Sequence, residues 1–135
     1  MTRMRTVVTA LLLLLMGAGA MAQDAVKDRV VEALRTGNSS ELAAQFIADV
    51  DLTLPGSSDV YSKAQAEQIL RKFFNDHPPV GLVIEHSGVN KFGDQYFIGI
   101  LRTRSGYFRT TFFLKKGATD YQVKTLRIEP SKNDL

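Results

Sequence analysis

The stretch "FIGILRTRSGYFRTTFFLKK" (Phe97–Lys116) decides how this chain folds. It interleaves basic residues with aromatic rings, a composition also found on nucleic-acid surfaces. Alternation with a period of two resolves the mixture. A two-residue turn at Ser105-Gly106 pairs Arg104 with Tyr107, Arg102 with Arg109, Ile100 with Thr111 and Ile98 with Phe113. Phe97, Gly99, Leu101 and Thr103 then share a face with Phe108, Thr110, Phe112 and Leu114, and that set carries no charge. It is the expected core face. The opposite face is apolar at one end (Tyr96, Ile98, Ile100, Phe113) and basic at the turn (Arg102, Arg104, Arg109). The stretch therefore reads as a hairpin with a dry side and a wet side.

The same logic extends in both directions. Upstream, a four-residue turn at Lys91–Asp94 pairs Asn90 with Gln95, His86 with Gly99 and Ile84 with Leu101. Glu85 then lies on the outer face, diagonal to Arg102, where an ion pair is expected. Downstream, Tyr121 and Val123 alternate in one phase and Leu126 and Ile128 in the other. A β-bulge near Lys124-Thr125 reconciles them and bends the sheet. Four strands in a meander result, near Val80–Asn90, Gln95–Arg104, Tyr107–Lys116 and Tyr121–Glu129, followed by a polar, frayed tail at 130–135.

Ahead of the meander the period changes to that of helices. Val26, Val30, Ala33 and Leu34 fall on one side of a first helix that Gly37 stops. Asn38 and Glu41 suggest a capping box for a second, carrying Leu42, Phe46 and Ile47 on one face. "VDLTL" (Val50–Leu54) alternates as a half-buried strand, "PGSSD" breaks it, and "VY" pairs back briefly. Ser62 and Gln65 cap a third helix with a stripe of Ala66, Ile69, Leu70, Phe73 and Phe74, which ends at Pro78-Pro79.

The first 22 residues do not belong to that domain. A basic start (Arg3, Arg5), the apolar run "VVTALLLLLM" (Val7–Met16) and the small-x-small ending Ala20-Met21-Ala22 read as a signal peptide. The run is short for a bilayer span. Residues 23–135 are then one exported domain, periplasmic or secreted, with no membrane span after cleavage. The full chain is +3, from 17 basic and 14 acidic residues; without Arg3 and Arg5 it is 15 against 14, or +1. A nearly neutral domain argues against nucleic acid, whose binding needs many phosphate contacts from a basic face. With no cysteine, disulfides and thiolate chemistry are excluded.

The motifs "KDRVVEALRTGNSSELA", "DVDLTLPG", "AEQILRKFF", "FGDQYFIGILRTRSGYFRTTFFLKK" and "YQVKTLRIE" span nearly all of Asp24–Glu129. They resemble an exported bacterial family known only as domain of unknown function 4783, within the nuclear transport factor 2-like superfamily. The resemblance implies an α+β, cystatin-like cone: three N-terminal helices packed on a bent antiparallel sheet, in the order α-α-β-β-α-β-β-β-β. It implies a pocket, and no particular activity.

Within such a cone the polar residues expected on the core face are His86, Thr103, Thr110 and Thr125, with Gly99 opposite His86 leaving room for a ligand and Tyr61 as a neighbour. The leading expectation is a non-catalytic domain binding a small apolar or amphipathic ligand, or a protein partner, without cofactor or metal. One alternative is a small isomerase- or hydrolase-type enzyme with His86 as base. Another is a weak polyanion binder using Arg102, Arg104 and Arg109. Tyr96, Ile98, Ile100 and Phe113, rimmed by those arginines, are the expected homodimer surface. His77, in "NDHPP", lacks the further ligands a metal site needs, as do Asp49 and Asp51.

Overall fold

A computed structural model describes residues 25–132. The expected signal peptide at 1–22 and the last three residues of the tail lie outside the described residues. Helix α1 (residues 25–36) and α2 (Ser39–Ala44) precede β1 (Phe46–Leu54) and β2 (Ser57–Ser62). Then come α3 (Lys63–Asp76), β3 (Pro79–Val89), β4 (Gln95–Thr103), β5 (Gly106–Lys116) and β6 (Tyr121–Ser131). This is the expected α-α-β-β-α-β-β-β-β order. The six strands form one sheet in the order β2-β1-β6-β5-β4-β3.

The helices begin where their caps dictate. The Asn38 side chain accepts from the Glu41 amide at 3.1 Å, which is half of the expected capping box. At α3 both halves form: Ser62 Oγ accepts from the Gln65 amide, and Gln65 Oε1 accepts from the Ser62 amide. α2 ends earlier than its apolar pattern suggests, and Phe46 and Ile47 open β1 instead. The reason is tertiary. Phe46 lies opposite Val123 in a parallel pairing of β1 with β6, and the Gln45 carbonyl accepts from the Val123 amide at 2.8 Å. The sheet is therefore mixed, where antiparallel pairing throughout was expected.

The hairpin β4–β5 keeps the expected faces with a different register. Thr103 lies opposite Gly106, Arg102 opposite Tyr107 and Ile100 opposite Arg109, so the turn is Arg104-Ser105. Gly106 takes φ +128°, which a residue with a side chain rarely adopts, and this moves the turn one position upstream. The shift along each pairing is two residues, and a shift of two preserves every face. Phe97, Leu101, Phe108 and Phe112 point to the helices, where all but half-buried Phe97 are buried. Arg102, Arg104 and Arg109 are exposed. The expected bulge is also present: Phe113 faces Thr125 but Leu114 faces Val123, leaving Lys124 as the extra residue.

β3 departs further. Its connection to β4 has five residues, because Asn90 joins the loop: Asn90 Oδ1 accepts from the amides of Phe92 (2.9 Å) and Asp94 (3.0 Å). A second bulge follows, with Glu85 as the extra residue between His86–Ile98 and Ile84–Gly99. The bulge restores Ile84 and Leu82 to the core side, where both pack against the core cluster, but leaves His86 outside. β6 continues to Ser131, two residues beyond Glu129, with Pro130 opposite Phe108. Pairing with β1 ends at Arg127, so one side of β6 is open there and tolerates a residue with no amide proton.

All three helices lie on one face. Val26, Val30 and Leu34 of α1, Leu42 of α2, and Leu70, Phe73 and Phe74 of α3 meet Leu52, Leu101, Phe108, Phe112, Leu126 and Ile128 in one core. Among the described residues no helix is long and apolar enough to cross a membrane.

Candidate functional site

The residues expected to line a cone pocket do not converge. His86 is exposed on edge strand β3 and faces Ile98, while Tyr61 lies on β2, the opposite edge of the sheet. Tyr61 Oη instead bonds Ser57 Oγ at 2.7 Å. Gly99 faces Ile84, and its missing side chain leaves no room for a ligand. A Cβ there would run into the Val83 carbonyl oxygen and come within 3.1 Å of Ile84 Cα. The backbone of β3 already occupies that space. Thr103 serves the turn: its hydroxyl donates to the Gly106 carbonyl (2.8 Å) and accepts from the Ser105 amide (3.2 Å). Thr110 is in the core between Gly99 and Ile128, 1% exposed, and its hydroxyl has no hydrogen-bond partner among the described residues.

A groove lies elsewhere, between the β1–β2 turn and the outward side of α3. It has a volume of about 520 Å³, with Leu54, Pro55, Ile69 and Phe73 as its apolar wall and Lys72, Asp76 and His77 at its polar edge. Toward the N-terminus of α3 it shares Gln68 and Ile69 with a shallower depression that Tyr61 lines. Ile69 belongs to the apolar stripe of α3, but it is half-buried where Ala66, Leu70, Phe73 and Phe74 are buried. That partial exposure is the signal that marks the groove.

His77 closes this end of the molecule. It caps α3, its backbone amide donating to the Phe73 carbonyl at 2.8 Å. The ring sits 4.9 Å from the Phe73 ring and 5.0 Å from that of Phe108. Nδ1 is hydrogen-bonded to Ser105 Oγ. The Arg104 amide donates to the Pro78 carbonyl at 3.0 Å beside it. These bonds clamp the β4–β5 turn to the end of α3. A serine bonded to an imidazole is half of a nucleophilic couple. Here Ser105 does not line the groove, and no carboxylate orients the ring among the described residues. The arrangement holds the groove's end in place and offers a hydrogen-bonding edge.

On the outer face Tyr96, Ile98 and Phe113 are half-buried, with Tyr96 opposite Phe113. Tyr96 lies over Gly88, where an added Cβ would fall 2.6 Å from its hydroxyl. Ile100, expected to be exposed in this patch, is 7% exposed. It lies between Val83 of β3 and Arg109 of β5, and long side chains on flanking strands cover apolar surface. None of Glu85, Arg102, Arg104 and Arg109 forms an ion pair among the described residues, so the expected Glu85–Arg102 pair is not made. Its reason is the bulge, which takes Glu85 out of the ladder.

The opposite end of the sheet holds a pair that the sequence reading missed. The bulge residue Lys124 reaches Asp94, which is 6% exposed, and forms an ion pair with it. That hydrogen bond holds the Asp94 carboxyl below the usual carboxylate range against the opposing effect of burial, with Asn90 and Lys115 adding to it.

The family model of the domain of unknown function DUF4783 matches residues 27–129. A DUF4783 family protein from Bacteroides ovatus ATCC 8483 is 30% identical, with a TM-score of 0.72 over 78% of this chain and 94% of that one. A cystatin-like domain of unknown function from Nostoc punctiforme PCC 73102 is 12% identical, with a TM-score of 0.63 over 86% and 78%. A variant of Rd1NTF2_05 is also 12% identical, with a TM-score of 0.62 over 82% and 98%. These last two likenesses concern the fold alone. No curated protein matches the chain. With a match across most of its length and the same architecture, the chain belongs to the DUF4783 family, on the nuclear transport factor 2-like, cystatin-like α+β fold.

Proposed function

We propose that this protein is an exported, non-catalytic binding domain that holds a small amphipathic ligand in the groove between the β1–β2 turn and α3. The observation that supports this reading is the groove itself. Its volume of about 520 Å³ falls within the range of small-ligand sites, and it sets an apolar wall beside Lys72 and His77. The basic start and apolar run of the first 22 residues support export. Catalysis by a His86 base has no such support, since His86 and its expected partner Tyr61 are on opposite edge strands.

Fluorescence of the amphipathic anion anilinonaphthalene sulfonate tests the groove. Ile69→Arg is expected to weaken dye binding at least about ten-fold by removing apolar contact and filling space, while Val83→Arg on the outer face leaves it unchanged. Equal binding by Ile69→Arg and the parent protein would overturn the reading.

A second reading concerns the outer face. Tyr96, Ile98 and Phe113, with Val83 at 44% exposure and three arginines at the rim, suit a second copy of the chain. Sedimentation is expected to show a dimer that Val83→Asp weakens. A polyanion on the arginines instead predicts affinity that falls steeply with salt.

A further inference from the structure

The most exposed large apolar side chain among the described residues is Phe92, at 75%, and the next is Val89 of the same hairpin, at 65%. Neither belongs to the core cluster. Phe92 is held out by a rigid loop. Asn90 accepts from two loop amides through its side chain, its own amide donates to the Asp94 carbonyl at 2.9 Å, and its carbonyl accepts from Gly93 at 3.1 Å. The Asp94–Lys124 pair then ties the loop to β6, two strands beyond β4. A loop this well fastened presents its aromatic tip without paying to order it at contact.

The charge around the tip is basic. Lys91 Nζ stands 5.1 Å from the centre of the Phe92 ring. Lys115 acts on Asp94 from the end of β5, and Lys116 is exposed beside it. Of the carboxylates at this end, Asp94 is taken by Lys124, and Asp120 lies in the β5–β6 connection, where its side chain accepts from the Tyr121 amide. Lys91, Lys115 and Lys116, none of them in an ion pair among the described residues, thus lie at the same end of the sheet as the solvent-exposed Phe92, remote from the groove.

We infer that this end of the protein docks peripherally on an anionic lipid surface. Phe92 enters the headgroup–acyl boundary, and Lys91, Lys115 and Lys116 meet the headgroup phosphates. A ring on a rigid tip supplies the apolar contact, and lysine stems reach back to the phosphate level while their ammonium groups stay wet. Short-range attraction of lysines to an anionic leaflet adds to it and fades as salt rises. A protein partner would be expected to present a carboxylate-lined pocket for the same ring; the isolated, wet tip with its cationic collar suits a fluid surface better.

Co-sedimentation with vesicles of equal parts phosphatidylglycerol and phosphatidylcholine, at low salt, tests the inference on the chain without its first 22 residues. Binding is expected to these vesicles and to be at least about ten-fold weaker on pure phosphatidylcholine. Phe92→Ser and the double variant Lys115→Glu/Lys116→Glu are each expected to weaken it by about ten-fold or more, with unfolding curves unchanged because none of these residues is in the core. Val60→Ser, which removes another exposed apolar group, on β2 (59%), is expected to leave binding as it was. No binding by the parent protein, equal binding to neutral vesicles, or full binding by Phe92→Ser would overturn the inference. So would a Phe92-dependent dimer in solution that excludes vesicles.

Discussion

β3 and β5 both pair with β4, yet they obey the sequence differently. Along β5 the register differs from expectation by two residues and every side chain keeps its face. Along β3 one extra loop residue puts His86 on the opposite face, and a bulge at Glu85 then returns Ile84 and Leu82 to the core side. Alternation is robust to an even slip and defenceless against an odd one. The difference decides the site, because it sends the one histidine expected in a pocket into solvent and presses the β3 backbone onto Gly99.

The comparison is broken most severely at Gly99. A methyl group there must push against the Val83 carbonyl and Ile84 Cα, neither of which can rotate away. Gly99→Ala is expected to destabilise the fold by about 3 kcal/mol, read as a lower urea midpoint. If Gly99 instead faced an open pocket, the change would be nearly neutral.

Next in size is Asp94→Asn, which removes the charge that fastens the β3–β4 loop to the β6 bulge. A loss of about 2 kcal/mol at neutral pH is expected for a hydrogen bond between charged groups with one buried partner. The sign of its pH dependence follows from the lowered carboxyl pKa. The stabilisation is fully present above the unfolded value of about 3.9 and is lost as pH falls through the lower folded value. The parent and Asp94→Asn curves should therefore converge in acid, below the folded value, and be fully separated above about pH 4.

How far the sequence could be read follows from these same residues. Period-two alternation and the Ser62–Gln65 box depend only on near neighbours, and they placed β4, β5 and α3 within a residue or so. The phase change between Val123 and Leu126 announced the bulge at Lys124. Phe46 was misplaced because its helical spacing was overridden by a partner 77 positions away, Val123. Nothing local distinguishes Asn90 as a turn residue from Asn90 as the end of a strand; its two side-chain hydrogen bonds settle that only once the loop has closed. The groove was invisible for a related reason. It joins Leu54 and Pro55 to α3, and only Ile69, the exposed edge of an otherwise buried stripe, hinted at it.

Smaller effects sharpen the contrast between the faces. Thr110→Val keeps the shape and removes a buried hydroxyl without a partner among the described residues, so a gain of up to about 1 kcal/mol in thermal unfolding is expected. His86→Ala, on the exposed side, is expected to change stability by less than about 0.5 kcal/mol.

The central claim is that the odd slip in β3 leaves His86 in solvent, while His77, at the end of α3, sits beside the groove against the rings of Phe73 and Phe108. Because the chain has only these two histidines, proton nuclear Overhauser spectra of their ring protons report it without crowding. Cross-peaks from His77 to the rings of Phe73 and Phe108, with none from His86 to Phe97 or Phe112, are the expected result. Cross-peaks from His86 to those core phenylalanines would contradict the account.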